Sequence, residues 1–182
     1  MKRLSPAARR LVLAAHVTTS VGFLGAVATV LALAIAGLFS ADPQMVRAAY
    51  PAMELVAWVV VLPLCLGSLL TGVVQSLGTA WGLFQHYWVA AKLAINVFAT
   101  AILLIYMRTL GALADAAAVA GDVGEVRSAS PVLHASLALL LLLIATVLSI
   151  YKPKGRLRAG RDASADDGRA GAARRWPWAV AG

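Results

Sequence analysis

LVLAAHVTTSVGFLGAVATVLALAIAGLF, residues 11–39, holds no charged side chain and only one titratable group, His16. A helix needs about 20 apolar residues to cross the ~30 Å hydrocarbon layer of a bilayer, so this stretch is long enough to span one. Three more runs meet the same criterion: residues 53–74, 87–107 and 132–151. With no water available to satisfy backbone groups, each span has to be helical. The first run exceeds the apolar core of a secretory signal and is expected to be a retained anchor. The expected fold is therefore all-α, a polytopic membrane protein built as a four-transmembrane-helix bundle. Residues 1–10 form a basic arm, 11–151 the membrane domain, and 152–182 a basic tail with too few apolar groups to fold.

Composition excludes the soluble alternative. Of 182 residues, 61% are hydrophobic and 13% charged, more apolar surface than a soluble domain of this size can hide. The net charge of +8 is a topology signal and implies no nucleic-acid partner. Lys2, Arg3, Arg9 and Arg10 precede the first span, and the tail carries Lys152, Lys154, Arg156, Arg158, Arg161, Arg169, Arg174 and Arg175. The segments after spans one and three hold only Arg47, Arg108 and Arg127. An even number of spans puts both termini on one side, and this bias makes that side the cytoplasm of a cell (inner or plasma) membrane. The tail's cations suit anionic lipid head groups.

Few enzyme chemistries have a signature here. Cys65 is the single cysteine, which leaves no disulfide framework or zinc spacing within the chain. Met1, Met45, Met53 and Met107 form no thioether cluster for copper. No Gly-rich nucleotide loop or nucleophile elbow occurs.

The informative residues are polar groups inside the spans, because ionisable groups in a bilayer are costly and usually functional. At about 100° per residue, Thr18, Gly22, Gly25 and Thr29 share one face of span one, a small-residue stripe suited to helix packing, while His16 lies on the other side. In span two, opened by Pro51, the residues Glu54, Trp58, Val61, Cys65, Ser68, Gly72 and Ser76 share a face expected to turn inward, with Ser68, Gly72 and Ser76 as a second ladder. Pro63 is positioned to kink that helix. Ser40–Tyr50 and the segment after Arg108 read as external loops, and Ser130–Pro131 as the start of span four.

The stretch GTAWGLFQHYWVAAKLAIN, residues 78–96, joins spans two and three. Trp81, Phe84, Tyr87 and Trp88 suit an interfacial aromatic belt. Beyond them Lys92, Asn96 and Thr100 recur every four residues, a polar stripe that should face the bundle. At about 1.5 Å per residue, His16, His86 and Lys92 fall at the inner side and Glu54 and His134 at the outer. Two histidines at similar depth can hold one haem iron between helices, which selects His16 with His86 and excludes His16 with His134. Glu54 with His134 suits a proton or cation path instead.

The strings AHVTTSVGFLGAV, YPAMELVAWVVVLPLCLGSLLTGVVQSLGTAWGLFQHYWVAAKL and LSIYKPKG together resemble an uncharacterised, actinobacterial-type family of integral membrane proteins of unknown function. His16, Gly22, Gly25, Trp88, Lys92 and Leu93 are more distantly similar to the copper-resistance CopD-like superfamily, which includes the haem-containing HemJ type. That likeness implies a haem-binding bundle. The HemJ-type pattern places a histidine between the tryptophan and the lysine; this chain has Ala90 there and carries His86 just before the tryptophan.

Three functions follow as expectations. The first is binding of haem b, with His16 and His86 as axial ligands, Lys92 beside a propionate and a possible redox role. The second is a non-enzymatic scaffold or accessory subunit, its small-residue faces packing a second copy or another membrane protein. The third is a small proton-coupled transporter using Glu54, Lys92 and His134.

Overall fold

The computed structural model describes residues 4–78 and 87–151, and among these every regular element is helical. The elements are α1 (Pro6–Phe39), α2 (Pro43–Val56), a π-helical turn (Ala57–Val61), α3 (Leu62–Gly78), α4 (Tyr87–Val119), a 3₁₀ turn (Val123–Val126) and α5 (Ser130–Tyr151). Four helical stretches are long and apolar enough to cross a membrane: Pro6–Phe39, Pro43–Leu77, Val89–Val119 and Val123–Ser149. The protein is a multi-pass, all-α bundle. His86, Trp81, Phe84 and the tail lie outside the described residues, as do the side chains of Tyr87 and Trp88.

Two expected loops are largely helix. Ser40–Tyr50 shrinks to a turn, because Asp42 accepts the Gln44 N–H at 2.9 Å and Pro43 occupies the first helical turn. Pro51 consequently lies inside α2 and does not open it. After Arg108 the alanine-rich sequence continues α4 to Val119, as expected of the strongest helix former. The 51 Å or so of α1, at 1.5 Å per residue, likewise exceeds a membrane core.

Span two is not a regular helix, and the cause is Pro63. Its ring lacks an N–H and crowds the carbonyl four residues back, that of Val59. The preceding turn widens to fit, and the Leu62 N–H reaches the Ala57 carbonyl, five residues behind. The widened turn lets Met53, Ala57, Val61 and Cys65 stay buried at steps of four. In an unbroken α-helix such steps would drift by about 40° each. Trp58, expected on the inward face, is 52% exposed, because the buried face runs through Met53 and Ala57 and Trp58 lies about 100° round from Ala57.

The bundle has two ends of different character. Where α1 turns into α2 (the loop end), Val46, Tyr50, Met53, Met107 and Leu110 make a compact core. Arg127 there donates to the carbonyls of Leu38 and Ser40, both at 2.6 Å, and so caps the C-terminus of α1. Arg47 donates to the carbonyls of Ala120 and Gly121 at 3.0 and 3.2 Å, closing the end of α4. The Tyr50 hydroxyl accepts the Ser128 N–H at 3.0 Å. Helix C-termini leave carbonyls without partners and carry partial negative charge, which a guanidinium satisfies in both respects. The opposite end, where α1 begins, carries Arg9, Arg10 and Lys92 and is here called the basic end.

Candidate functional site

The tightest helix contact lies between α1 and α3, and small residues create it. A Cβ on Gly67 would come within 3.1 Å of Thr19, one on Gly22 within 3.2 Å of Leu64, and one on Gly72 within 3.1 Å of His16 Cε1. The Ser20 and Ser68 hydroxyls hydrogen-bond across the seam at 2.8 Å. The ladder of Ser68, Gly72 and Ser76 therefore accommodates the imidazole of His16, with the Ser76 hydroxyl turned back to the Gly72 carbonyl at 2.8 Å. The stripe on α1 does not serve this seam as a whole. Gly25 has nothing within 4 Å, and Thr18 and Thr29 are exposed, the latter bonding the Gly25 carbonyl of its own helix at 3.0 Å.

His16 is held through one ring nitrogen. Nδ1 lies 3.2 Å from the Ser68 carbonyl oxygen and 3.1 Å from Thr71 Oγ1. Among the described residues Nε2 has no hydrogen-bond partner. The imidazole forms part of the wall of a cavity of about 770 Å³ between α1, α3, α4 and α5. Ser68 and Gly72 line it from α3, Lys92 and Asn96 from α4, and Ser149 from α5, with Arg9 at its mouth. Its volume lies in the range of ligand sites, roughly 300–1,000 Å³. Exposed Leu13 and Val17 of α1 and Thr146 of α5 border its open side.

The polar stripe of α4 faces inward. The Lys92 ammonium donates to Ser149 Oγ at 2.9 Å, and Ser149 in turn donates to the Ala145 carbonyl at 3.0 Å. One turn on, Asn96 faces the cavity. The Thr100 hydroxyl donates to the Asn96 carbonyl at 2.7 Å and so accepts from the buried Cys65 thiol, 3.2 Å away. Lys92 and His16 line the same cavity from α4 and α1. Among the described residues no carboxylate lines the cavity. Asp42, Glu54, Asp115, Asp122 and Glu125, the acids of the described residues, all belong to the loop-end segments.

Glu54 and His134, the outer pair of the sequence reading, share no hydrogen bond or ion pair among the described residues. Glu54 directs its carboxylate at Gly111 of α4, where a Cβ would meet Oε1 at 3.2 Å. His134 is exposed, stacks on Tyr106 with ring centroids 3.9 Å apart, and bonds its own helix through the Ser130 carbonyl at 2.9 Å. Nor do three His, Cys, Asp or Glu side chains of the described residues gather as a bare metal site would need.

Thr71 and Ser149 were not singled out by sequence reading, and both touch the functional groups. Thr71 sits beside the Ser68/Gly72 ladder, the one local hint; its pairing with His16 spans 55 residues of chain.

Comparison with protein-family models, with curated proteins and with solved structures returned no match.

Proposed function

We propose that this protein binds haem b, or a closely related tetrapyrrole, in the cavity at its basic end. The observation that carries the reading is His16, tied through Nδ1, with no partner for Nε2 among the described residues, in the wall of a cavity of about 770 Å³ that Lys92 also lines. Metal-binding histidines are characteristically oriented in this way, through a hydrogen bond from the other ring nitrogen. A tetrapyrrole brings four donors of its own and asks the protein for only one or two axial ligands. That suits a site with an imidazole and no cluster of ligating side chains. His16 is the first axial ligand, and His86, outside the described residues, is assigned as the second from the sequence. The charges of Lys92 and Arg9, both of which line the cavity, suit the propionate carboxylates. When bound, the haem would supply one-electron chemistry. The basic end is cytoplasmic in this reading, both termini lie on that side of the cell membrane, and the tail rests on anionic lipid.

The test is an absorption spectrum. Protein expressed with haem supplementation and purified in mild detergent should show a Soret band that His16→Ala abolishes and His86→Ala shifts. Absence of the band in the wild-type protein, or its persistence unchanged in His16→Ala, refutes the assignment.

A second reading has one observation behind it. Among the described residues the outward Thr18–Gly25–Thr29 stripe of α1 meets no partner, as a scaffold or accessory subunit would require. Gly25→Leu should then disrupt a crosslinkable assembly while leaving the spectrum intact.

A further inference from the structure

We propose that Thr71 is a positioning residue that, with the Ser68 carbonyl, fixes His16 as the Nδ1–H tautomer, so that the cavity presents a bare imidazole nitrogen to its ligand. The assignment rests on the cavity's being a ligand site, but its test needs no ligand.

The argument is one of donors and acceptors. The neutral imidazole has one N–H and one bare nitrogen, and its neighbours decide which is which. Nδ1 has two neighbours, the Ser68 carbonyl oxygen at 3.2 Å and Thr71 Oγ1 at 3.1 Å. A carbonyl can only accept. The Thr71 hydroxyl has a single hydrogen, and its shortest contact is the Gly67 carbonyl at 2.6 Å. With the hydrogen directed there, Thr71 also accepts, and a hydrogen on Nδ1 serves both neighbours. The opposite tautomer would set a lone pair of Nδ1 against the Ser68 carbonyl. It would also draw the Thr71 hydrogen away from Gly67.

Nε2 is then the bare nitrogen. Gly72 takes the ring's Cε1 edge, 3.1 Å from where its Cβ would stand, and Nε2 lies farther off at 4.0 Å. The consequence for ligand class is specific. At His16 the cavity offers an electron pair, which suits a metal centre or a hydrogen-bond donor. At Lys92 it offers a cation, which suits a carboxylate. A ligand carrying both features at opposite edges fits the site; a simple anion satisfies only one end of it.

The experiment uses the full chain, ¹⁵N-labelled at histidine, in detergent without added tetrapyrrole and at a pH where the ring is neutral. The His16 signals are assigned by their loss in His16→Gln. The wild-type ring should show a protonated Nδ1 and an unprotonated Nε2. Thr71→Ser should preserve that pattern, while Thr71→Val, losing one acceptor, should shift the tautomer ratio by roughly two- to tenfold. An Nε2–H ring in the wild-type protein, or a Thr71→Val ratio equal to wild type, overturns the assignment. Because the samples are ligand-free, failure here is distinct from absence of a Soret band, which would remove the haem and leave the tautomer standing.

Discussion

At the loop end of this bundle the polar side chains close on backbone carbonyls; at the basic end they border a void. Arg47 and Arg127 reach across to finish the helices α4 and α1, over a core of Val46, Tyr50 and Met53 exposed by 1% or less. His16 and Lys92 bond to groups on neighbouring helices too, yet each also faces a cavity of about 770 Å³. The contrast separates two tasks. One end holds the four spans in register, and the other keeps a space that a compact core would have filled. Close packing is the default of protein interiors, so a hollow of this size that holds His16, Lys92 and Asn96 in its wall is a feature to be explained by what enters it.

That contrast can be broken at either end. The largest effect on stability should come from Arg127→Ala. It strips two charge-assisted hydrogen bonds from the end of α1 and should cost about 2–4 kcal/mol, read as a lower unfolding temperature in detergent with ligand binding unchanged. Gly72→Val comes next and acts at the other end. Its side chain must displace the His16 ring, now 3.1 Å from the Cβ position, so tetrapyrrole affinity should fall by roughly ten- to a hundredfold in a spectral titration. Lys92→Met keeps the length and removes the charge; affinity should drop about three- to tenfold, and more weakly at high salt. The smallest effect belongs to Arg47→Ala, whose exposed hydrogen bonds should contribute about 1 kcal/mol or less to the same thermal unfolding measurement. If Arg127→Ala impaired binding as strongly as Gly72→Val, the two ends would be coupled and the division of tasks would be wrong.

What the sequence disclosed follows from the range of the forces involved. Hydropathy reports burial in lipid residue by residue, so four spans could be read from apolar runs alone. Periodicity placed Lys92, Asn96 and Thr100 on one face, because lipid leaves such a stripe nowhere else to go. Pro63 signalled a disturbed helix, but not that the buried face would run through Met53 and Ala57 and leave Trp58 outside. The start of α2 is written locally in Asp42–Pro43, an N-cap and first-turn proline eight residues before Pro51. The arginine caps were illegible for a different reason. Arg127 meets Leu38 across 89 residues and Arg47 meets Ala120 across 73, and a count of cations per loop reads both only as topology markers. His16 was visible as an unusual residue in an apolar helix; its partners, 52 and 55 residues away on α3, were not. The small-residue ladder at Ser68 and Gly72 was legible as a place of close approach. That an imidazole would fill it required the structure.

The central claim is that the hollow end is a tetrapyrrole site organised by His16. Thermal unfolding of the purified protein, with and without added haem, tests it most directly, since a ligand that binds only the folded state must raise its stability. Haem at about 100 times its dissociation constant should stabilise the wild-type chain by about 2.7 kcal/mol, visible as a clear rise in unfolding temperature, and should leave His16→Ala close to its ligand-free value. A wild-type chain whose unfolding is indifferent to haem, or a His16→Ala chain stabilised as much as wild type, would contradict the claim.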